Sequence, residues 1–156
     1  MSNPFREDLV SRNLAEACSV VIFGATGDLT HRKLIPALYN LAVDGELPAG
    51  VQILGFARRD WSDEFFREGL EKLNRKVSRT GHDDEIWESL AATIHYHQSE
   101  FQDEDGYRRL AERLDEIDRE RGGKGNRLFY IASAPEFFDD ILLNLKKAGL
   151  SQGRPD

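Results

Sequence analysis

The feature that most restricts the fold of this chain is an apolar run, Val20–Phe23, followed directly by Gly24-Ala25-Thr26-Gly27-Asp28. A short run rich in β-branched residues predicts a buried strand, and the glycines separate it from a segment with helical spacing. The first amide groups of a helix have no intrahelical partner, so this junction suits a phosphate. Glycine also allows the backbone to approach a pyrophosphate closely. The turn therefore predicts a phosphate-binding site.

Length, charge and cysteine content set the class of protein. The 156 residues suffice for one domain with a hydrophobic core, and none of its apolar runs is long enough for a transmembrane helix. The net charge of −7 disfavours a nucleic-acid partner. Residues 1–12 lack the apolar core of a secretory signal, and the single cysteine, Cys18, fits a reducing compartment. We expect a cytoplasmic protein with no membrane partner, and Cys18 as a small residue at a strand edge.

Strand-like and helix-like segments alternate along the chain. This order predicts parallel strands joined by right-handed crossovers, with helices on both faces of the sheet. The fold class is α/β, a Rossmann-type parallel sheet that lacks the last strands of a complete coenzyme domain. We predict strands at 19–23, 51–57, 93–97 and 128–131, and helices at 28–43, from Ser62 over about fifteen residues, at 85–92, at 105–121 and from Pro135 to Gly149.

The helical spacing of apolar residues predicts which side chains face the core. Pro36 lacks an amide hydrogen, so we expect the first helix to kink or tighten there. The predicted inward residues are Leu34, Leu38, Leu41 and Ala42, then Phe65, Phe66, Leu70 and Leu73, then Leu110, Leu114 and Ile117, and finally Phe138, Ile141, Leu142 and Leu145.

Three of the predicted strands end in distinctive residues. They are followed by 24–28, by Arg58-Arg59 and by Ser133-Ala134-Pro135. Ligands of parallel sheets bind at the carboxyl ends of the strands. We therefore expect these three segments to border the same crevice.

The end of the second strand indicates which dinucleotide would bind. An Asp or Glu at this position accepts hydrogen bonds from the ribose of NAD, whereas here Arg58 and Arg59 follow Ala57 directly. Guanidinium groups match phosphate oxygens in a bidentate arrangement, as a 2′-phosphate requires. The alternative is that both arginines are surface charges paired with Asp60 or Asp63.

Two families begin with a G-x-x-G turn. The extended short-chain dehydrogenases need a catalytic Tyr-x-x-x-Lys, and none of the four tyrosines here has a lysine four residues later. The histidines suggest no metal site either. His95 and His97 share one face of a predicted strand, yet no further ligand completes a set, and we expect structural roles for both. His31, in the first helix turn, is either near the phosphate site or on the surface.

The other family matches over most of the chain. Three segments closely resemble the glucose-6-phosphate dehydrogenases, in the right order and spacing from about Val20 to Leu150. They are Gly24-Ala25-Thr26-Gly27-Asp28-Leu29-Thr30 with Lys33-Leu34-Ile35-Pro36, then Gly55–Arg59, then Leu128–Pro135. The stretch Arg58–Ser62 resembles the bacterial members.

The resemblance implies NADP as the coenzyme and assigns residues to its parts. Lys33 resembles a lysine near the family's active site that reaches the substrate phosphate, and a solvated helix lysine is the alternative. The implied coenzyme contacts are Gly24, Ala25, Thr26, Gly27, Asp28 and Leu29 at the pyrophosphate, Arg58 and Arg59 at the 2′-phosphate, and Tyr130, Ser133 and Ala134 beside the nicotinamide.

The resemblance also implies the reaction, which is oxidation of glucose 6-phosphate to 6-phosphogluconolactone with reduction of NADP in the pentose phosphate pathway. In this family a second domain supplies the catalytic histidine and most contacts to glucose 6-phosphate. We therefore assign no catalytic residue here and expect binding without turnover. We divide the chain into an N-terminal extension, 1–18, and an incomplete coenzyme domain, 19–156. A free-standing dinucleotide sensor and a purely structural α/β domain are the alternatives.

Overall fold

A computed structural model describes residues 17–77, 81–123 and 125–152, and four strands alternate with helices along them. In the described residues, none of the helices is both long and apolar enough to span a bilayer. The elements are β1 Ser19–Phe23, a π-helical turn Thr30–Leu34, α1 Ile35–Val43, β2 Gln52–Ala57, α2 Asp63–Val77, α3 Asp84–Ala91, β3 Ile94–Gln98, α4 Glu104–Arg121, β4 Arg127–Ile131, a 3₁₀ turn Pro135–Phe137, and α5 Phe138–Lys147.

The four strands form one parallel sheet in the order β3-β2-β1-β4. The register pairs Val21 of β1 with Leu54 of β2 and with Phe129 of β4. Alternate residues of a strand point to opposite faces, and here they supply two separate hydrophobic clusters. Val21 packs with α4 and α5, whereas Ile22 packs with the helices of the other face. The predicted Rossmann-type α/β fold is confirmed.

The first helix differs from its prediction near Pro36. Because Pro36 has no amide hydrogen, the helix widens into a π-helical turn, where the Ile35 amide donates to the Thr30 carbonyl. The predicted tightening is therefore wrong, and the predicted kink stays a prediction. The wider turn rotates the residues that follow, so Ile35 and Tyr39 are buried and Leu41 is 37% exposed. Leu34 and Leu38 are partly buried, and Ala42 borders a groove at the other end of the sheet.

Two other helices bury a narrower face than predicted. On α2, Phe66 and Leu70 are buried while Phe65 is 56% exposed beside the ring of Trp61. The last helix begins later than predicted, because Pro135 starts a 3₁₀ turn and α5 follows it. On α5 only Ile141 and Leu145 of the four predicted residues are buried, and Phe138 and Leu142 are exposed. The inward face of α4, Leu110, Leu114 and Ile117, is confirmed.

The ends of the chain bear on the predicted domain division. Cys18 precedes β1 and is half-buried, and burial raises the pKa of its thiol. Residues 1–16 and 153–156 lie outside the described residues, so the proposed N-terminal extension stays a prediction.

Candidate functional site

The carboxyl ends of all four strands open into one cleft of about 590 Å³, a volume typical of small-molecule sites. The three segments predicted to border a common crevice all contribute to it. The lining residues are Gly24, Thr26, Gly27, Ala57, Arg58, Glu100, Phe101, Gln102, Ala132, Ser133, Ala134, Glu136 and Phe137.

The glycine turn is fixed to the neighbouring strand by its own backbone. The Gly24 amide donates to the Phe56 carbonyl at 2.9 Å, and the Gly27 amide donates to the Gly24 carbonyl at 2.9 Å. Gly24 has a φ of +86°, a conformation that favours glycine. The hydroxyl of buried Thr30 also donates to the Gly24 carbonyl, at 3.3 Å. The turn is therefore held in shape without a ligand.

Three amide groups of this turn are left for a ligand. Within the described part of the chain, those of Thr26, Asp28 and Leu29 have no hydrogen-bond partner, and the first amide bond of the helix is donated by His31 to Gly27. Unpaired amides at a helix start carry a partial positive charge and bind phosphate oxygens. The turn thus fits a pyrophosphate through its backbone.

The side chains of this turn contribute little to the cleft. Ala25 is fully buried and touches the position that a Cβ on Gly55 would take, 2.8 Å away. The carboxylate of Asp28 pairs with Arg32 at 2.8 Å and is mostly exposed, and Leu29 is 44% exposed. Ala25, Asp28 and Leu29 are absent from the cleft lining, so any contact with a coenzyme would come from their backbone.

The two arginines after β2 have different surroundings. Arg58 lines the cleft, and it is the only cationic side chain among the described lining residues. The guanidinium of Arg59 instead lies 5.6 Å from the ring centroid of Trp61. In the described residues neither arginine forms an ion pair, and Asp63 pairs with Arg113. The alternative of two surface charges paired with Asp60 or Asp63 therefore lacks support.

At the end of β4, the predicted residues divide in the same way. Ser133 and Ala134 line the cleft. Tyr130 lies outside the lining and is 39% exposed, because strand alternation places it on the face opposite Phe129 and Ile131. Lys33, in the π-helical turn, is exposed and also lies outside the lining.

The end of β3 also borders the cleft, although no residue there was among the predicted site residues. Glu100, Phe101 and Gln102 follow this strand and line the cleft, and Glu136 and Phe137 join them after β4. The ring of Phe101 stacks on Phe56 with centroids 6.0 Å apart and contacts Phe137 at 5.1 Å. The signal for this segment is its position, because ligands of parallel sheets bind at the carboxyl ends of all the strands.

The histidines predicted to be structural have separate partners inside the fold. His95 is 2.9 Å from the side-chain oxygen of Gln52, and His97 is 2.9 Å from the Gly106 carbonyl. Burial lowers the pKa of His31, His95 and His97, that of His95 to about 4. His31 is half-buried, and its ring centroid lies 6.4 Å from that of Phe66.

One group of possible metal ligands lies far from the cleft, between α2 and α3. Atoms of Glu71, His82 and Asp84 lie within 4.8 Å of one another. The guanidinium of Arg75 already bonds Glu71 at 2.9 Å and Asp84 at 2.6 Å. A cation is therefore in place between these carboxylates.

Comparison with known proteins gives a consistent family. The family model "Glucose-6-phosphate dehydrogenase, NAD binding domain" matches residues 21–155. A glucose-6-phosphate 1-dehydrogenase of Chlamydia muridarum is 47% identical over 131 residues, which are 83% of this chain and 26% of that protein. Glucose-6-phosphate 1-dehydrogenase 2 of Mycobacterium tuberculosis is 38% identical over 99% of this chain and 30% of its own length.

Solved structures that resemble this chain belong to the same family. A glucose-6-phosphate dehydrogenase in complex with glucose 6-phosphate has a TM-score of 0.76 and 32% identity, over 85% of this chain and 28% of that one. The enzyme of Mycobacterium avium has a TM-score of 0.75 and 29% identity, over 87% of this chain and 28% of its own. The chain thus spans roughly a quarter to a third of the length of the relatives that it matches.

Proposed function

The chain belongs to the glucose-6-phosphate dehydrogenase family, whose NAD-binding domain it matches, and from this membership we propose that its cleft binds NADP in preference to NAD. The pyrophosphate lies against the backbone of the glycine turn, at the free amides of Thr26, Asp28 and Leu29. Gly24 and Gly27 leave room there because they have no side chain, and Thr26 lines the cleft beside them. The nicotinamide half lies beside Ser133 and Ala134, at the end of β4.

The observation that carries the coenzyme preference is the position of Arg58. It is the one cation in the described lining of the cleft, and the lining also holds two carboxylates, Glu100 and Glu136. No carboxylate follows β2 at the place where one would accept from the ribose of NAD. Arg58 therefore binds the 2′-phosphate. Arg59, stacked near Trp61, has at most an indirect part.

For the longer protein we propose the family's reaction, with NADP as hydride acceptor and glucose 6-phosphate as substrate. The part played by this chain is to bind and orient the coenzyme. Lys33, exposed beside the turn, is proposed to reach the substrate phosphate. We assign no catalytic residue to this chain, and we expect it to bind NADP without turnover. The free thiol of Cys18 supports a cytoplasmic location.

Calorimetric titration with NADP⁺ and, separately, NAD⁺ tests this proposal, with Arg58→Ala and Arg59→Ala as a matched pair. We expect NADP⁺ to bind at least about tenfold more tightly than NAD⁺, as one charge-assisted contact allows. Arg58→Ala should abolish that difference and Arg59→Ala should keep most of it. Equal binding of the two coenzymes would overturn the role of Arg58, and binding of neither would overturn the proposed site.

A further inference from the structure

The loop that carries Arg58 and Arg59 is attached to β3 by two side chains. The side-chain amide of Gln98 donates to the Arg58 carbonyl at 3.0 Å. The hydroxyl of Tyr96 donates to the Arg59 carbonyl at 2.6 Å, and the Trp61 amide donates to the same carbonyl at 3.0 Å. Two consecutive carbonyls of an exposed loop are thus fixed by the neighbouring strand.

We propose that Tyr96 and Gln98 are positioning residues for the coenzyme's 2′-phosphate, which hold the backbone of Arg58 and Arg59 so that Arg58 faces the cleft and Arg59 does not. This inference rests on the proposed function of the cleft. Neither side chain of β3 lines the cleft itself. Their effect on a coenzyme therefore passes through the arginine loop.

The surroundings of Tyr96 suit such a role. It is 3% exposed, and its ring packs against Phe66 at 5.0 Å and Trp61 at 6.0 Å, so the hydroxyl has a fixed position. Burial raises the pKa of this hydroxyl to about 12, and it stays a donor at neutral pH. Trp61 in turn lies under the guanidinium of Arg59. One aromatic cluster therefore holds both the backbone and the side chain of Arg59.

These hydrogen bonds explain why the side chains of two adjacent arginines have different surroundings, Arg58 in the cleft and Arg59 over Trp61. Strand order places β3 directly beside β2, with Gln98 opposite Ala57, the last residue of β2. The loop leaving β2 must pass this pair of donors. A bidentate contact between guanidinium and phosphate needs an oriented guanidinium. An unanchored loop would have to be ordered on binding, and that ordering reduces affinity.

The test uses Tyr96→Phe and Gln98→Ala, each alone and combined with Arg58→Ala, titrated with NADP⁺ and NAD⁺. Each single variant should weaken NADP⁺ binding by about 2- to 10-fold, the range for one hydrogen bond, and leave NAD⁺ binding nearly unchanged. In the Arg58→Ala background the same changes should have no further effect on NADP⁺, because the group that they position is gone.

Tyr39→Phe is the matched control. It removes another buried tyrosine hydroxyl, which accepts from the Asp83 amide at 2.7 Å, far from the cleft. It should lower stability in denaturant without changing NADP⁺ affinity. Unchanged NADP⁺ affinity in Tyr96→Phe and Gln98→Ala would overturn the inference. So would equal losses for both coenzymes, or losses that persist without Arg58. The unmodified chain reports separately on the proposed function, and failure to prefer NADP⁺ there overturns both.

Discussion

A Cβ atom on Gly24 would lie 2.9 Å from the carbonyl oxygen of Ala132. The turn after β1 and the end of β4 are therefore in direct contact, and the Ala132 amide also donates to Phe23 at 2.9 Å. Both segments line the cleft. Packing within the fold therefore requires glycine at this position.

Replacing Gly24 with alanine should therefore be costly. Two factors oppose a side chain at Gly24: its φ of +86°, and the carbonyl oxygen of Ala132 close to the position of a Cβ atom. The conformation alone costs about 1–2 kcal/mol, and the contact with Ala132 adds to it because backbone cannot move away easily. Gly45→Ala is the matched control, since Gly45 has a φ of +69° and open space around it. Urea unfolding of the two variants compares them, and equal losses would contradict the importance of the Ala132 contact.

The edge of β3 leads to a second prediction. Asp63, at the start of α2, accepts from the Tyr96 amide at 2.7 Å and pairs with Arg113 at 3.1 Å. Arg113 also donates to the Tyr96 carbonyl. In the sequence, Asp63 stands out only as an acidic residue at the start of a helix. Asp63 therefore does more than interact with the helix dipole. With Arg113, it supplies hydrogen-bond partners to the outward backbone groups of Tyr96 at the exposed edge of β3.

Asp63→Ala should lower the free energy of unfolding by about 1.5–3 kcal/mol, the usual value for a charge-assisted hydrogen bond. Asp63→Asn keeps an acceptor for the Tyr96 amide and should lose less. Glu64→Ala, the exposed neighbour in the same first turn, should change stability by less than about 0.5 kcal/mol. Urea denaturation of the three variants measures this order. Equal effects of Asp63→Ala and Glu64→Ala would show that the hydrogen bond from the Tyr96 amide to Asp63 does not stabilise the fold.

Acid should destabilise the chain through His95. Burial lowers the pKa of its folded form to about 4; Asp63 opposes this shift, and the guanidiniums of Arg113, Arg67 and Arg121 add to it. The unfolded chain has the ordinary pKa of about 6.5 and binds a proton first as pH falls. The stability that His95 contributes is therefore complete above about pH 6.5 and is lost as pH falls toward about 4.

His95→Gln should reduce the loss of stability between about pH 7 and pH 5 by about 1–2 kcal/mol. Urea unfolding of the parent and the variant at both pH values measures the difference. His97→Gln is a useful comparison, because burial also lowers the pKa of His97. A variant with the same pH dependence as the parent would show that His95 is protonated equally in the folded and unfolded chain.

The sequence predicts the strands well and the helix faces less well. Runs such as Val20–Phe23 end at glycines or polar residues, so strand positions follow from local composition. The face of α1 does not, because Pro36 indicates a disturbance without saying that the turn widens, and the widening moves the buried positions to Ile35 and Tyr39. On α2, Phe66 and Leu70 lie four residues apart on the buried face, and Phe65 lies outside that face.

The same distinction applies to the cleft. The convergence of the strand ends follows from the parallel sheet topology. The alternation of strands and helices along the sequence predicts that topology. The different surroundings of Arg58 and Arg59 do not follow from local sequence. Their backbone carbonyls accept from Gln98 and Tyr96 of another strand, and the guanidinium of Arg59 lies over the ring of Trp61. Sequence therefore locates the segments of the site, and only the fold distinguishes their individual side chains.

The two edges of the sheet differ in how their backbone groups are used. At β3, Asp63, Arg113 and Arg67 bond the outward groups of Tyr96 and Ile94. At β4, no side chain of the described residues bonds an outward backbone group of the strand; these groups belong to alternate residues of a parallel ladder. Unpaired strand edges recruit further strands, so the two edges should behave differently in solution.

We expect this chain to self-associate through β4 as its concentration rises. Leu128 is 54% exposed and Tyr130 is 39% exposed on the same strand, so apolar surface lies beside the open edge. Leu128→Lys should weaken association, because a charge on an edge strand disfavours strand addition. Phe65→Lys, at a residue 56% exposed on α2, is the control and should leave association unchanged. Sedimentation velocity, measured over a concentration range of about a hundredfold, reports the degree of self-association. A single monomer throughout, or equal effects of the two lysines, would show that β4 does not mediate association.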